Sequence, residues 1–272
     1  MKKILVFISF LILLSSCEDL VEVSVPNSEP RLSIDAHFNL FTDENPLRLE
    51  GGVRLTLTAN YFNNTVPLVK DATVFITDLY TANQYPLIYN PSTEYYTPKN
   101  PEILINYDTQ YRLTVIYKEE VYQGVSKFIS VAPISSVIQG TKTLFKGDET
   151  EVIVSFKDDL AATNYYLYDF GFNILRPIED RFFQGQEFVF SNFYSSDEVR
   201  PGQNITIKAF GIEKQYFTYI ELILQQTGNN GGPFQPLPAT TRGNIINTTA
   251  FDNYPLGYFL ISEAYESDLL IQ

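Results

Sequence analysis

From Arg31 onward, hydrophobic and polar residues alternate in short runs separated by turn-forming residues. Leu32-Ser33-Ile34-Asp35-Ala36 is the first run, followed by Val53-Arg54-Leu55-Thr56-Leu57-Thr58 and Ala72-Thr73-Val74-Phe75-Ile76-Thr77-Asp78. Tyr85 to Tyr89, Tyr111 to Tyr117, and Val121 to Ile129 after the turn Lys118-Glu119-Glu120 continue the series. A period of two sends successive side chains to opposite faces, so each run predicts an antiparallel strand with one buried and one wet face. Roughly seven such strands in about a hundred residues suit an immunoglobulin-like β-sandwich. It is predicted over 31–132 and closes near Ala132-Pro133. Pro98 and Pro101 mark a loop or an edge, because proline has no N–H to give a central ladder.

A second β-rich domain, also sandwich-like, is predicted over 133–272. Its strands are Val137 to Thr143, Glu151 to Phe156, Asn164 to Phe172, Glu187 to Phe190 and Gln203 to Phe210. Tyr165, Tyr166 and Tyr168 make the third of these aromatic on both faces, as in an inner strand. The stretch 212–227 differs: Tyr216, Tyr219, Ile220, Ile223 and Leu224 fall at helical spacing, which predicts the one helix, and Gly228 stands where a C-cap belongs. Asn229, Asn230, Gly231 and Gly232 form a flexible loop, and Leu256 to Ser262 is the last predicted strand. The fold class is therefore mainly β, with one helix in the second domain.

The first residues follow another pattern. Lys2 and Lys3 precede an apolar run, Ile4 to Leu14, broken only by Ser9. That is too short for a bilayer core of about twenty residues, and basic-apolar-small is the layout of a secretory signal. Leu14-Ser15-Ser16-Cys17 resembles the bacterial lipobox, in which cleavage precedes a lipid-bearing cysteine. Cys17 is the only cysteine, so it cannot form a disulfide within the monomer. The reading is a signal peptide over 1–16, lipidation at Cys17, and an acidic tether over 17–30. Glu18 and Asp19 resemble the acidic export signal that sends Bacteroidota lipoproteins to the outer face of the outer membrane; the periplasmic face is the alternative.

Composition narrows the function. The net charge is −13, which argues against nucleic acid, whose binding rests on Lys and Arg neutralising phosphates, and against a polybasic membrane contact, leaving the N-terminal lipid as the membrane bond. Tyr and Phe are abundant and Trp is absent. Two readings of these aromatics stay open: sandwich core with cross-strand pairing, or a contact surface for a partner or ligand, with Tyr165, Tyr166, Tyr168 and the Asn229–Gly232 loop as candidates.

Candidate chemistry is sparse. His37 is the only histidine. With Cys17 lipidated there is no usual zinc site and no Cys-His dyad, and one base at most for a serine triad. Placed at a strand exit beside Phe38, His37 reads as structural. The doublets Asp43-Glu44, Asp158-Asp159, Glu179-Asp180 and Asp197-Glu198 read as solvated surface, since neighbours on a strand point apart. Asp43-Glu44-Asn45 lacks an EF-hand pattern, and the Gly-Asn-Asn-Gly-Gly loop lacks the Lys-Ser/Thr of a phosphate loop. No metal, cofactor or enzymatic activity is predicted.

Several segments together resemble a family of uncharacterised Bacteroidota outer-membrane lipoproteins, a domain of unknown function encoded beside TonB-dependent receptors. They are Cys17 to Val23, Pro30-Arg31-Leu32, Leu55 to Thr58 with Tyr61-Phe62, Val69 to Val74, Tyr111-Arg112-Leu113, and above all Gly232-Pro233-Phe234 through Gly243-Asn244-Ile245 to Leu256-Gly257-Tyr258-Phe259. His37 departs from the pattern, which has Gly after the Leu-x-Ile-Asp strand. The resemblance implies a lipoprotein seated on or near an outer-membrane β-barrel, such as a TonB-dependent receptor, with no catalytic residues to carry over; the leading reading is a non-enzymatic accessory lipoprotein, which Glu18 and Asp19 place on the cell surface. The alternative is a surface lipoprotein that captures glycan or peptide itself.

Overall fold

The structure, a computed structural model, describes residues 29–59, 65–144, 146–160, 163–227 and 241–272. The strands of the first part are β1 (Leu32–Phe41), β2 (Arg48–Leu57), β3 (Thr73–Asp78), β4 (Gln84–Asn90), β5 (Tyr95–Pro98), β6 (Tyr111–Tyr117), β7 (Glu120–Ser126) and β8 (Phe128–Ile129). There follow β9 (Ile134–Gln139), β10 (Thr150–Lys157), β11 (Tyr165–Asp169), β12 (Leu175–Glu179), β13 (Glu187–Tyr194) and β14 (Asn204–Ile212). The helix α1 (Lys214–Thr227), β15 (Ile245–Asn247) and β16 (Leu256–Leu270) complete the chain. The fold is mainly β with one α-helix among the described residues.

One large mixed sheet runs β12-β11-β14-β16-β1-β2-β5-β4-β3-β6-β7-β15, with β8 attached to β16, and a three-stranded sheet runs β13-β10-β9. The large sheet bends back on itself: Ile34 and Phe38 of β1 share a core with Val74 and Ile76 of β3 and Leu113 and Val115 of β6. The three-stranded sheet lies over the other end, where Val152, Val154 and Phe156 of β10 pack with Tyr166 and Tyr168 of β11 and Ile207 of β14.

The expected division at 132/133 is crossed by the end of the chain. β16 pairs with β1 in parallel from Ser33↔Leu256 to Phe41↔Ala264, then antiparallel with β14 from Phe210↔Ala264 to Asn204↔Leu270. β15 extends the edge of β7. Ile245, Phe259 and Ile261 thereby join the core of the N-terminal strands. Asn244 fastens this return: its side-chain amide donates to Phe259 O (2.8 Å) and Val125 O (3.1 Å), and its Oδ1 accepts from Phe259 N (2.8 Å).

β16 is buried without a break from Tyr258 to Ala264. Phe259 and Ile261 enter the first core on one face; Tyr258, Leu260 and Ala264 lie under α1 on the other. A strand covered on both faces carries a continuous apolar run instead of an alternation, and Tyr258-Phe259-Leu260-Ile261 is that run.

Tyr166 and Tyr168 are almost fully buried, and Phe156 meets them at ring-centroid distances of 4.9 and 5.5 Å. The three-stranded sheet covers this face of β11, so the rings of both are core and not an exposed contact surface, while Tyr166 also borders a small pocket with Asp158 and Asn164. Tyr165 faces the opposite way and packs on Phe217 of α1 at 5.3 Å.

Two carboxylates from different doublets meet beside this core. Asp158 accepts from the Tyr166 hydroxyl and from Gly185 N (2.7 Å), and Asp180 accepts from Asn164 N (2.7 Å). Both are buried, unlike the solvated surface expected for them. Burial raises the Asp180 carboxyl, and Asp158 and Glu179 add to this against the opposing Asn164 hydrogen bond. A carboxyl raised by folding binds its proton more tightly folded than unfolded, so folding loses stability as pH rises from the unfolded value through the raised one. Asp180→Asn keeps an oxygen for Asn164 N and removes the charge. It is expected to raise the melting temperature at pH 7 by roughly 2–4 °C, with the gain shrinking toward pH 4 in parallel thermal melts.

Candidate functional site

The helix α1 lies along β11 and β12, and its buried side chains reach the face of β14 and β16 that lies away from the first core. Its stripe Tyr216 and Ile220 packs on Tyr258, Leu260, Phe210 and Leu167. Alternation along β1 puts Asp35, His37 and Asn39 on this same face. His37 is mid-strand, not at the strand exit expected, because Phe38 and Leu40 continue the buried set to Phe41.

His37 Nδ1 donates to Asp35, and its Nε2 meets the Tyr216 hydroxyl at 3.1 Å. With the Nδ1 proton on Asp35, Nε2 is assigned as the acceptor of the tyrosine proton. Burial works to raise the Asp35 carboxyl, but the hydrogen bond from His37, with Arg54 nearby, outweighs it and holds it below the usual carboxylate range. Burial, reinforced by Asp35, pushes the Tyr216 hydroxyl above its ordinary value. Tyr258 is pushed up by burial and by its bond to Glu213 (2.7 Å). Tyr216 lies edge-on to Tyr258 at 4.9 Å and stacks with Tyr219 at 5.9 Å.

The position opposite His37 is Gly52 of β2. Its φ is +140°, and a Cβ there would lie 2.6 Å from Tyr96 O and 2.9 Å from Thr97 Cγ2, so only glycine fits.

A carboxylate-imidazole pair is the orienting half of a nucleophile triad. Here the second ring nitrogen is taken by a tyrosine whose proton is held tightly, so the visible work of the network is to pin α1 to β1. Tyr216→Phe keeps the ring packing and removes the hydroxyl; a loss of about 1 kcal/mol is expected in urea unfolding. Among the described residues, no group of three or more His, Cys, Asp or Glu is placed to hold a metal ion.

On its outer side α1 borders a groove of about 580 Å³ whose wall includes Lys214, Thr218, Tyr219, Leu222 and Arg242. Tyr219 joins the two features, lining the groove and stacking on the tyrosines behind it. Its helical spacing marked it only as core stripe, and Arg242 carries no local signal, so the groove was not legible in the pattern. Of the residues singled out in the sequence, Cys17, Glu18, Asp19, Asn229, Asn230, Gly231 and Gly232 lie outside the described residues, as does the C-cap at Gly228. Tyr165 lies beneath α1 with Phe217 and does not line the groove.

The sequence model of a domain of unknown function, DUF4249, matches residues 18–268. The chain belongs to the DUF4249 family. The match spans the strands, the helix and the groove, and starts one residue after Cys17. No curated protein matches this DUF4249 chain. Among solved structures it is similar to the selenomethionine-substituted chicken interferon gamma receptor alpha chain, at 11% identity over 70% of this chain and 90% of that one, with a TM-score of 0.19.

Proposed function

We propose that this DUF4249 protein is a non-enzymatic lipoprotein of the outer membrane, anchored through Cys17 and docked on a β-barrel of the TonB-dependent receptor type or another barrel complex. The observation that carries this is Cys17 itself, the only cysteine, directly behind an apolar run and directly ahead of the family match. Glu18 and Asp19 support display on the cell surface. The short edge strand β15 offers a docking margin, where Ile246 and Phe251 are 54% and 74% exposed; the helix region and the loop at Asn229–Gly232 are further candidates. In this reading the layers around the first core are an immunoglobulin-like sandwich over 31–132, and those around the second core are its sandwich-like neighbour over 133–272.

A C-terminally tagged protein, extracted from the native host in mild detergent, is expected to bring down a stoichiometric barrel, and to lose it when Cys17 is changed to Ala. Recovery of acylated protein with no barrel would overturn the docking reading. The groove beside α1 supports a second reading, capture of a glycan or peptide by the protein itself, because its volume lies in the range of about 300–1,000 Å³ usual for ligand sites.

A further inference from the structure

The charge of the α1 groove is opposite to that of the molecule. The chain carries 32 Asp and Glu against 19 Lys and Arg, yet the charged side chains on the described wall of the groove are Lys214 and Arg242 alone. Among the described residues no carboxylate lies within ion-pair distance of either cation. The nearest acids in sequence are not on the wall: Glu213, just before α1, accepts from Tyr258, and Glu221 of α1 does not line the groove.

Arg242 is also held in position. Its guanidinium carbon lies 3.8 Å from the ring centroid of Tyr254, and Arg31 lies 4.0 Å from the same centroid. Two guanidinium groups sharing one ring repel each other, and an anion beside Arg242 would offset that repulsion. Neutral donors flank the cations: the Gln215 and Gln226 amides and the Thr241 hydroxyl, with Gln226 donating to Thr241 at 3.1 Å, while the Thr218 hydroxyl donates to Lys214 O at 3.2 Å. Tyr219 and Leu222 form the apolar part of the wall, and Leu222 is 43% exposed.

We propose that the groove binds a small organic anion, its carboxylate or phosphate ester held by Lys214 and Arg242 and its ring or short aliphatic body laid against Tyr219 and Leu222. Arginine's planar fork matches both oxyanions. The proposal deepens the ligand-capture reading and is independent of barrel docking.

The test is isothermal titration calorimetry on the full-length protein in detergent, with phenyl phosphate and phenylacetate as probes and with inorganic phosphate, acetate and benzyl alcohol as controls. At least one aromatic anion is expected to bind about tenfold or more tighter than every control, a difference of about 1.4 kcal/mol. Arg242→Gln is expected to weaken it by about tenfold, Lys214→Gln by severalfold, and Arg242→Lys to retain part of the affinity, as expected for charge-assisted hydrogen bonds. Binding of phenyl phosphate alone or phenylacetate alone assigns the oxyanion. Benzyl alcohol binding as well as the anions would overturn the proposal while leaving ligand capture standing. Absence of aromatic-anion binding, or binding indifferent to both Arg242→Gln and Lys214→Gln in variants with wild-type melting curves, would overturn it too.

Discussion

A fragment ending at Ala132 is expected to show no cooperative unfolding transition. By pattern alone 31–132 has strands enough for a domain, but its first strand would stand bare along one edge. In the intact chain β1 takes β16 along that edge from Ser33 to Phe41, and the core around Ile34 and Phe38 is completed by Ile245, Phe259 and Ile261. Removing three large buried side chains at about 1.5–3 kcal/mol each would cancel much of the roughly 5–15 kcal/mol by which a domain is stable. An unpaired β1 would also expose a long edge prone to association. Circular dichroism melts and hydrogen exchange of the fragment against the whole chain check this. A sharp transition with protected amides in β1 would show that the N-terminal strands fold without the C-terminus.

The second large effect is expected at Gly257. It sits in the parallel ladder opposite Ile34 with φ of +101°, and a Cβ there would lie 2.0 Å from Ile34 O. Both the backbone conformation and the close approach exclude a side chain. Gly147 provides the contrast, with φ of +82° and nothing within 4 Å of its Cβ position. Gly147→Ala is therefore expected to cost about 1 kcal/mol from backbone strain alone, and Gly257→Ala at least about 3 kcal/mol because β1 and β16 must also part. Urea denaturation of the two variants measures the difference, and equal losses would mean that the ladder yields to the added methyl group.

The close packing of Gly257 gives physical content to the segment that looked most distinctive in the sequence. A Cβ on Gly243 would lie 1.8 Å from Gly257 O, so Gly243 and Gly257 are the points where the returning chain touches itself and β1. Asn244 between them closes the gap with three hydrogen bonds. The sequence shows only that Gly243 and Asn244 stand a short way before Gly257; the fold shows that they are a seam.

Local elements were legible where one face alone decides the pattern. β6 has the predicted bounds, Tyr111–Tyr117, and the helix expected over 212–227 is Lys214–Thr227. The short strands β5, β12 and β15 were missed, since three to five residues carry too little periodicity to count. β16 was expected only to Ser262 because the apolar run ends there and Glu263, Glu266, Ser267 and Asp268 make the rest of the strand polar. The lone histidine stands mid-strand and not at the strand exit expected, and its partner Tyr216 is 179 positions away, beyond the reach of any local pattern. Tyr166 and Tyr168 could not be sorted into core or surface by sequence, because the sheet that covers them is paired nowhere to their own strand.

Period and composition by themselves determined the mainly β character, the helix that begins at Lys214 and the acidic balance, since each depends on side chains a few positions apart or on their sum. The tertiary structure alone decided that the last strand lies beside the first, that Asp158 and Asp180 are buried neighbours, and that Lys214 and Arg242 face one groove. The physical reason is the range of the interaction. Alternation is imposed by the geometry of one strand, whereas parallel pairing and a shared wall depend on which distant surfaces best exclude water from each other, and no local period records that choice.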